Sequence, residues 1–151
     1  MPIATGMALA RKRLNMQGKI YVMISDGECQ EGTTWESLLI GAKHCLDNLV
    51  VLVDYNKIQA LTTLDEALPL ENLPAKFASF NWDCAEVNDG HSFEELLPVL
   101  QQSNIEGKPR VIIVHTTKTK GIKPFENDPA WHARKLKGEE LEIGKKELGL
   151  D

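Results

Sequence analysis

The sequence predicts an α/β protein: a mainly parallel sheet with helices on both faces. Three observations carry that prediction. Amphipathic stretches and short apolar runs alternate along the whole chain. The apolar runs IYVMI (20–24), LVVLV (49–53) and VIIV (111–114) are nearly continuous, as strands buried on both faces require. Turn and capping residues separate the runs, so each strand feeds a helix through a right-handed crossover.

Each element follows in order. Residues 4–16 (ATGMALARKRLNM) read as a helix with Met7, Leu9, Ala10 and Leu14 as its apolar side, and Gly18 stops it. Lys19 to Ser25 is the first strand. Thr33 to Leu46 is a helix capped by Thr33 or Thr34, with Leu38, Leu39, Ala42 and Cys45 as its buried stripe. Asn48 to Tyr55 is the second strand, and a polar loop runs from Asn56 to Pro69. A short helix over 72–79, a strand from Trp82 to Val87 and a helix over 93–102 come next, the last opened by the capping-box spacing Ser92-x-x-Glu95. Pro109 to Thr116 is the final strand. The tail from Arg134 to Asp151 is charge-rich and forms a solvated surface helix, supported by Glu142 and Lys146 at i,i+4 and weakened by Gly144.

Bulk properties exclude several classes. The 151 residues, 42% of them hydrophobic, suffice for one domain with its own core. A net charge of −5 argues against a nucleic-acid partner. No apolar run is long enough to span a bilayer, and Met1 to Gly6 has neither a basic nor a long apolar leader, so no membrane association and a cytoplasmic location are expected. The three cysteines, Cys29, Cys45 and Cys84, are odd in number and lack CxxC spacing, which fits a reducing compartment and neither a disulfide framework nor structural zinc.

Ligands of open α/β sheets bind beyond the carboxyl ends of the strands. Those ends carry Ser25-Asp26-Gly27-Glu28, Asp54-Tyr55-Asn56-Lys57, Asn88-Asp89-Gly90-His91 and His115-Thr116-Thr117-Lys118. Asp26 and Asn56, thirty positions apart, fall at the same edge of neighbouring strands. A carboxylate, an amide oxygen and a backbone carbonyl are hard donors suited to Mg²⁺ or Ca²⁺ and not to Zn²⁺. Gly27, just ahead of a helix, offers a backbone N–H to phosphate. The rival reading is that Asp26-Gly27 only turns the chain.

The segment SDGECQEGTTWESLLIGAKHCLDNLVVLVDYNK resembles the thiamine-diphosphate motif of the transketolase family, which begins Gly-Asp-Gly and ends about thirty residues later at Asn. GMALA before it, GKPRVIIVHTTK after it and WHARKL near the end resemble transketolase segments in the same order, so the similarity covers roughly residues 4–136. The resemblance implies a thiamine-diphosphate-binding fold over 1–136, partial at its N-terminus, followed by a charged helical tail over 137–151. The chain resembles the N-terminal subunit of split transketolases.

By that resemblance Asp26 and Asn56 hold the metal by side chain and Ile58 by its carbonyl oxygen. Gly27, Glu28 and Glu31 join these three in the cofactor-contacting set, and Glu31 with Glu36 resembles the acidic cluster that couples the two cofactor sites across the dimer, the rival reading being solvated acids at a helix start. His132 reaches the diphosphate and the substrate, and Lys118 and Lys120 border the entrance. The implied cofactors are thiamine diphosphate with Mg²⁺, Ca²⁺ being an alternative ion. The implied reaction moves a two-carbon ketol unit between sugar phosphates, as in the pentose phosphate pathway, with the cofactor as electron sink. The implied partner is a C-terminal subunit carrying the pyrimidine-binding domain, in a homo- or hetero-oligomer, without which the chain is inactive. A dihydroxyacetone or deoxyxylulose phosphate synthase subunit, or a non-catalytic remnant of the fold, are the alternatives.

Three departures from the family pattern stand out. Ser25 replaces the leading glycine, at a cost of about 1 kcal/mol if that position needs positive φ. Thr119 replaces a loop glycine and stiffens the segment. The chain also starts late relative to the family, so an exposed apolar sheet face or edge is expected. Elsewhere, Trp35 and Trp131 read as packing anchors, His44 and His115 as packing or surface residues, His91 as a turn residue, and Cys29 as no nucleophile.

Overall fold

The structure, a computed structural model, describes residues 1–150. In chain order the elements are α1 (Pro2–Arg13), β1 (Ile20–Ser25), α2 (Gly32–Lys43), β2 (Leu49–Tyr55), α3 (Leu64–Ala67), α4 (Leu73–Ser79), β3 (Asp83–Val87), α5 (Phe93–Gln101), β4 (Arg110–His115) and α6 (Glu139–Glu147). The strands form one sheet in the order β1-β2-β4-β3, and every neighbouring pair is parallel. This is the α/β architecture the apolar runs predict. Because all strands are parallel, their carboxyl ends lie along one edge, where Ser25, Tyr55, Val87 and His115 close them.

The two faces of the sheet are covered unequally. On one face Ile24, Val51, Val53, Val111 and Ile113 pack with Ala4 and Ala8 of α1, Leu38 of α2 and Leu73 and Phe77 of α4. On the other, Val50, Val87, Ile112 and Val114 meet only Leu96, Val99 and Leu100 of α5. β1 therefore corrects the expectation of burial on both faces. Its Tyr21 and Met23, opposite Val50 and Leu52 in register, are 53% and 71% exposed, because β1 is an edge strand beyond the reach of α5. The expected exposed apolar face and edge are thus seen here.

Helix faces are the other correction. α1 buries Ala4, Thr5 and Ala8, while Met7, Ala10 and Leu14 face out. In α2 Leu38 is buried, but Leu39 is exposed, as is Cys45 beyond the helix end, and the inward residues are Thr34, Ser37 and Gly41. Close approach decides the case of α2. A Cβ on Gly41 would sit 2.8 Å from Trp82 Cζ2, and Trp82 Nε1 donates to the Leu38 carbonyl at 3.1 Å. Small side chains let the helix backbone itself pack on the core.

The predicted caps are partly met. Ser92 Oγ accepts from Glu95 N at 3.3 Å, but Glu95 Oε2 takes Asp89 N instead of closing the box. Neither Thr33 nor Thr34 caps α2: the helix begins at Gly32 and Thr34 Oγ1 donates back to the Glu28 carbonyl. The loop after Asn56 contains α3, whose Leu64 is fully buried. In α6 the ion pair is Lys145–Glu142 at 2.9 Å, not Glu142–Lys146. Gly144 is the one buried α6 residue, seated against Leu136 and Ile122.

Asp47 staples α1 to the loop before β4. Lys12 Nζ lies 2.7 Å from its Oδ1, and Gly107 N donates to its Oδ2 at 3.0 Å. Burial pushes the carboxyl up, but the Lys12 hydrogen bond, the Gly107 N–H and the Lys12 charge outweigh it and hold Asp47 below its ordinary value. A depressed folded pKa gives stability that is present above the unfolded value and lost as pH falls through the folded one. Asp47→Asn is expected to lower stability by about 1 kcal/mol at neutral pH, with the difference closing on acidification. Identical urea midpoints at neutral pH would refute the staple.

Candidate functional site

The carboxyl edge of β1 and β2 holds a cavity of about 350 Å³. Asp26, Gly27, Asn56, Ile58, Lys118 and His132 all line it, although they come from four separate segments. Asp26 follows β1 directly and is 2% exposed. Its Oδ1 accepts from Gly27 N at 2.7 Å and its Oδ2 from Lys57 N at 2.6 Å. The carboxylate thus ties the end of β1 to the turn after β2. Lys57 adopts φ of 62°, a left-handed conformation that points its N–H back to Asp26.

Asn56 is oriented from both ends. Its Nδ2 donates to Asp54 Oδ2 at 3.1 Å and its Oδ1 accepts from Ile58 N at 2.9 Å. The Thr116 hydroxyl, at the end of β4, donates to the other oxygen of Asp54. A hydrogen-bonded chain therefore runs across the ends of β4 and β2 and fixes which side of the Asn56 amide is oxygen.

Burial raises the Asp26 pKa above the ordinary carboxylate value. The Lys57 and Gly27 N–H groups oppose that, the Asp54 charge adds to it, and the Lys118 charge opposes it. Two carboxylates beside one small cavity are an arrangement a cation relieves. Among the described residues no cluster of three His, Cys, Asp or Glu side chains forms a metal site. The donors that line the cavity are of another kind, the Asp26 carboxylate and the Asn56 amide oxygen, and hard oxygens of this kind suit a divalent cation that keeps other ligands of its own.

The remaining sequence candidates divide. Glu28 turns back on β1: its Oε2 accepts from Ser25 N and Ser25 Oγ accepts from Glu28 N, both at 3.2 Å. That reciprocal pair is a capping box on the 3₁₀ turn Gly27–Gln30. Ser25 keeps a negative φ, so its Cβ carries none of the backbone strain expected for it. Glu28 does not line the cavity, and Glu31 and Glu36 are exposed outside it. Thr119 does sit at φ of 58°, an outlying conformation for a β-branched residue, with its hydroxyl 2.6 Å from the Lys118 carbonyl and near that of Phe125.

His132 is exposed and reaches the cavity from the end of a 3₁₀ turn. The preceding Trp131 is clamped between the Phe125 ring, 4.2 Å away, and the Arg134 guanidinium, 4.3 Å away. Lys120 lies on a second, adjoining cavity of about 660 Å³ together with His91 and His115. His91 does more than turn the chain: its Nε2 accepts Thr117 N at 2.8 Å and so anchors the loop that carries Lys118. His115 pairs with Glu86, and His44 is on the surface. Trp35 is a packing residue between Phe77 and Phe80. Burial, then the charges of Asp26 and Glu28, push the Cys29 thiol up to about 12, so it stays protonated and is no nucleophile. Gln59, on the cavity wall, is the residue sequence reasoning missed; its only signal is its place directly after Asn56-Lys57-Ile58.

The sequence profile described as "Transketolase, thiamine diphosphate binding domain" matches residues 4–151. The chain belongs to the transketolase family. It is 36% identical to an apulose-4-phosphate transketolase subunit of Actinobacillus succinogenes, over 98% of this chain and 53% of that protein. It is 37% identical to a 6-deoxy-6-sulfo-D-fructose transketolase subunit of a Clostridium species, over 88% of this chain and 48% of that protein. The crystal structure of Campylobacter jejuni transketolase superposes with a TM-score of 0.89 at 30% identity, over 98% of this chain and 24% of that one. The chain thus spans about half the length of the transketolase subunits it matches. The transketolase sheet explains why the cavity lies where it does: parallel strands bring Asp26 and Asn56 to one edge.

Proposed function

We propose that the chain is the diphosphate-binding part of a split transketolase, transferring two-carbon ketol units between sugar phosphates together with a partner chain. The observation that carries this reading is that Asp26, Asn56, Ile58 and Gly27 line one cavity. In this reading Asp26 and Asn56 hold Mg²⁺ by side-chain oxygen, and Ile58 by its carbonyl. Ca²⁺ is the alternative ion for the same oxygen set. The Gly27 N–H, held by Asp26 Oδ1 here, would turn to the diphosphate once a cation takes that carboxylate. Bound thiamine diphosphate supplies the electron sink for carbon–carbon cleavage and formation.

The chain's own residues bind and orient. Asp54 fixes the Asn56 amide, and Glu28 supports the turn through Ser25. His91 holds the Thr117 backbone and so the position of Lys118 at the entrance. In this reading His132 bonds the diphosphate and then the sugar, a role supported by its place on the cavity lining next to the packed Trp131. Glu31 and Glu36 are exposed, as residues that meet another subunit must be before assembly.

A two-chain enzyme is supported by relatives that are themselves named as subunits. The partner in this reading contributes the pyrimidine-binding domain and completes an oligomer. A cytoplasmic site of action accords with three free thiols, and among the described residues no helix is long and apolar enough to cross a membrane.

The test mixes the purified chain with a C-terminal transketolase subunit, Mg²⁺ and thiamine diphosphate, and follows ketol transfer from a ketose phosphate to an aldose phosphate. Activity is expected only in the full mixture. Steady turnover by this chain without a partner would overturn the two-chain reading.

A further inference from the structure

Among the described residues, four buried side-chain atoms have no hydrogen-bond partner: Arg11 Nε, Asn48 Oδ1, Arg110 Nε and Gln59 Nε2. The first three belong to groups bonded through another atom, as Arg11 is to the Gln17 carbonyl, Asn48 to the Ala8 carbonyl and Arg110 to Gln102. Gln59 is different: no hydrogen bond is made from either end of its amide, and the residue lines the cavity that holds Asp26 and Asn56.

The position is built, not incidental. Gln59 N donates to the Thr62 carbonyl at 2.9 Å, and its neighbour Ile58 bridges to Thr63 across the same turn. The backbone that presents the amide is therefore anchored on both sides. The amide faces Gly27: a Cβ added there would lie 3.7 Å from Gln59 Nε2. A buried, unpaired N–H₂ in a folded protein costs free energy and calls for an acceptor. It shares the cavity with the Asp26 carboxylate, which already holds the Gly27 N–H, and with Asn56. An occupant must be rich in acceptor oxygens and carry negative charge that a cation on Asp26 can share.

We infer that Gln59 is a cofactor-binding residue whose Nε2 donates a hydrogen bond to the diphosphate, an inference that rests on the cofactor reading above. A neutral amide suits the task, since it adds a donor without upsetting the charge balance between cation and diphosphate. It also makes the ligand-free protein carry a cost that binding removes, so Gln59 trades stability for affinity.

The test uses the full chain with Gln59→Leu and Gln59→Glu. Calorimetric titrations use Mg²⁺ with thiamine diphosphate and, separately, Mg²⁺ with inorganic pyrophosphate; thermal melts are run without ligand. Gln59→Leu is expected to melt higher than wild type when ligand-free, because the orphaned donor is gone. Its affinity for both ligands is expected to fall by about ten-fold or more, as for loss of one hydrogen bond to a charged group. Gln59→Glu, equal in shape but an anion, is expected to fall further. A lower melting temperature for Gln59→Leu with unchanged affinities would make Gln59 a structural residue and overturn the inference. Weaker thiamine diphosphate binding with unchanged pyrophosphate binding would overturn the assignment to the diphosphate. A wild-type chain that binds neither ligand would overturn the cofactor reading itself, and this inference with it.

Discussion

Asp26→Asn is expected to abolish Mg²⁺-dependent binding of thiamine diphosphate while leaving the chain folded. The substitution keeps the shape and one carbonyl oxygen, so one of the two N–H bonds, from Gly27 or Lys57, survives. The other N–H then faces an NH₂ group, at a cost of about 1–3 kcal/mol. Removing a buried charge offsets part of that. The sign follows from the direction of the shift: burial raises the folded pKa of Asp26 above its unfolded value. Its ionisation therefore opposes folding, and the contribution to stability falls as pH rises from the unfolded value through the folded one.

A bound dication reverses the preference, because it selects the carboxylate. Thermal melts with and without Mg²⁺ and thiamine diphosphate separate the two effects. Wild type should gain about 2.7 kcal/mol when free ligand is at a hundred times Kd, and the gain should shrink as pH falls and Asp26 protonates. Asp26→Asn should gain nothing at any pH. A ligand-induced gain in the variant equal to that of wild type would remove Asp26 from the metal site.

Gly90→Ala is expected to be the most destabilising single methyl in the chain. A Cβ at Gly90 would lie 2.4 Å from Val114 Cγ1, 2.8 Å from Thr116 Cγ2 and 3.0 Å from the His115 carbonyl. The last of these is backbone, and Gly90 N already bonds the same carbonyl at 2.8 Å, so the loop has no room to yield. Overpacking of this kind costs about 2–3 kcal/mol, which for a chain of this size lowers the melting point by about 4–12 °C.

The displacement also has a route to the site. Moving Gly90 moves His91, which holds Thr117 N, and Thr116, which holds Asp54 and through it the Asn56 amide. Cofactor affinity should therefore drop although Gly90 does not line the Asp26 cavity. Denaturation and calorimetry on the variant check both parts. A urea midpoint equal to that of wild type would show that the loop relaxes freely.

The strands, their parallel pairing and the edge that carries the site were legible in the sequence, because continuous β-branched runs and strand-end polar residues have few other uses. Asp26 and Asn56 line one cavity as their spacing implies, with Gly27, and with Ile58, which only the family resemblance named. The helix faces were not legible. Hydrophobicity chose Leu39, Met7 and Leu14, whereas packing chose Gly41, Ala4 and Ala8, since what a helix buries depends on how closely its neighbour approaches. Ser25 looked like a defect because its partner was hidden: Glu28 makes it a cap. Gln59 carried no pattern at all, as an unpaired donor is defined by what surrounds it in space. The role of His91 depends on a contact with Thr117 that no local spacing announces.

The strand order has a consequence for how the chain is made. β4 lies between β2 and β3, and the partners Val51 and Val111 are about sixty residues apart. Among the described residues no two strands of the sheet are joined by a hairpin, and closing such long loops makes folding slow. During synthesis β2 leaves the ribosome long before β4, with Val51 and Val53 beside an open edge. β3 has no partner at all until β4 arrives. The sheet completes in one late step, when residues 110–115 insert, and the same step brings Thr116 to Asp54. The nascent chain is thus at its most aggregation-prone just before the candidate site comes into being.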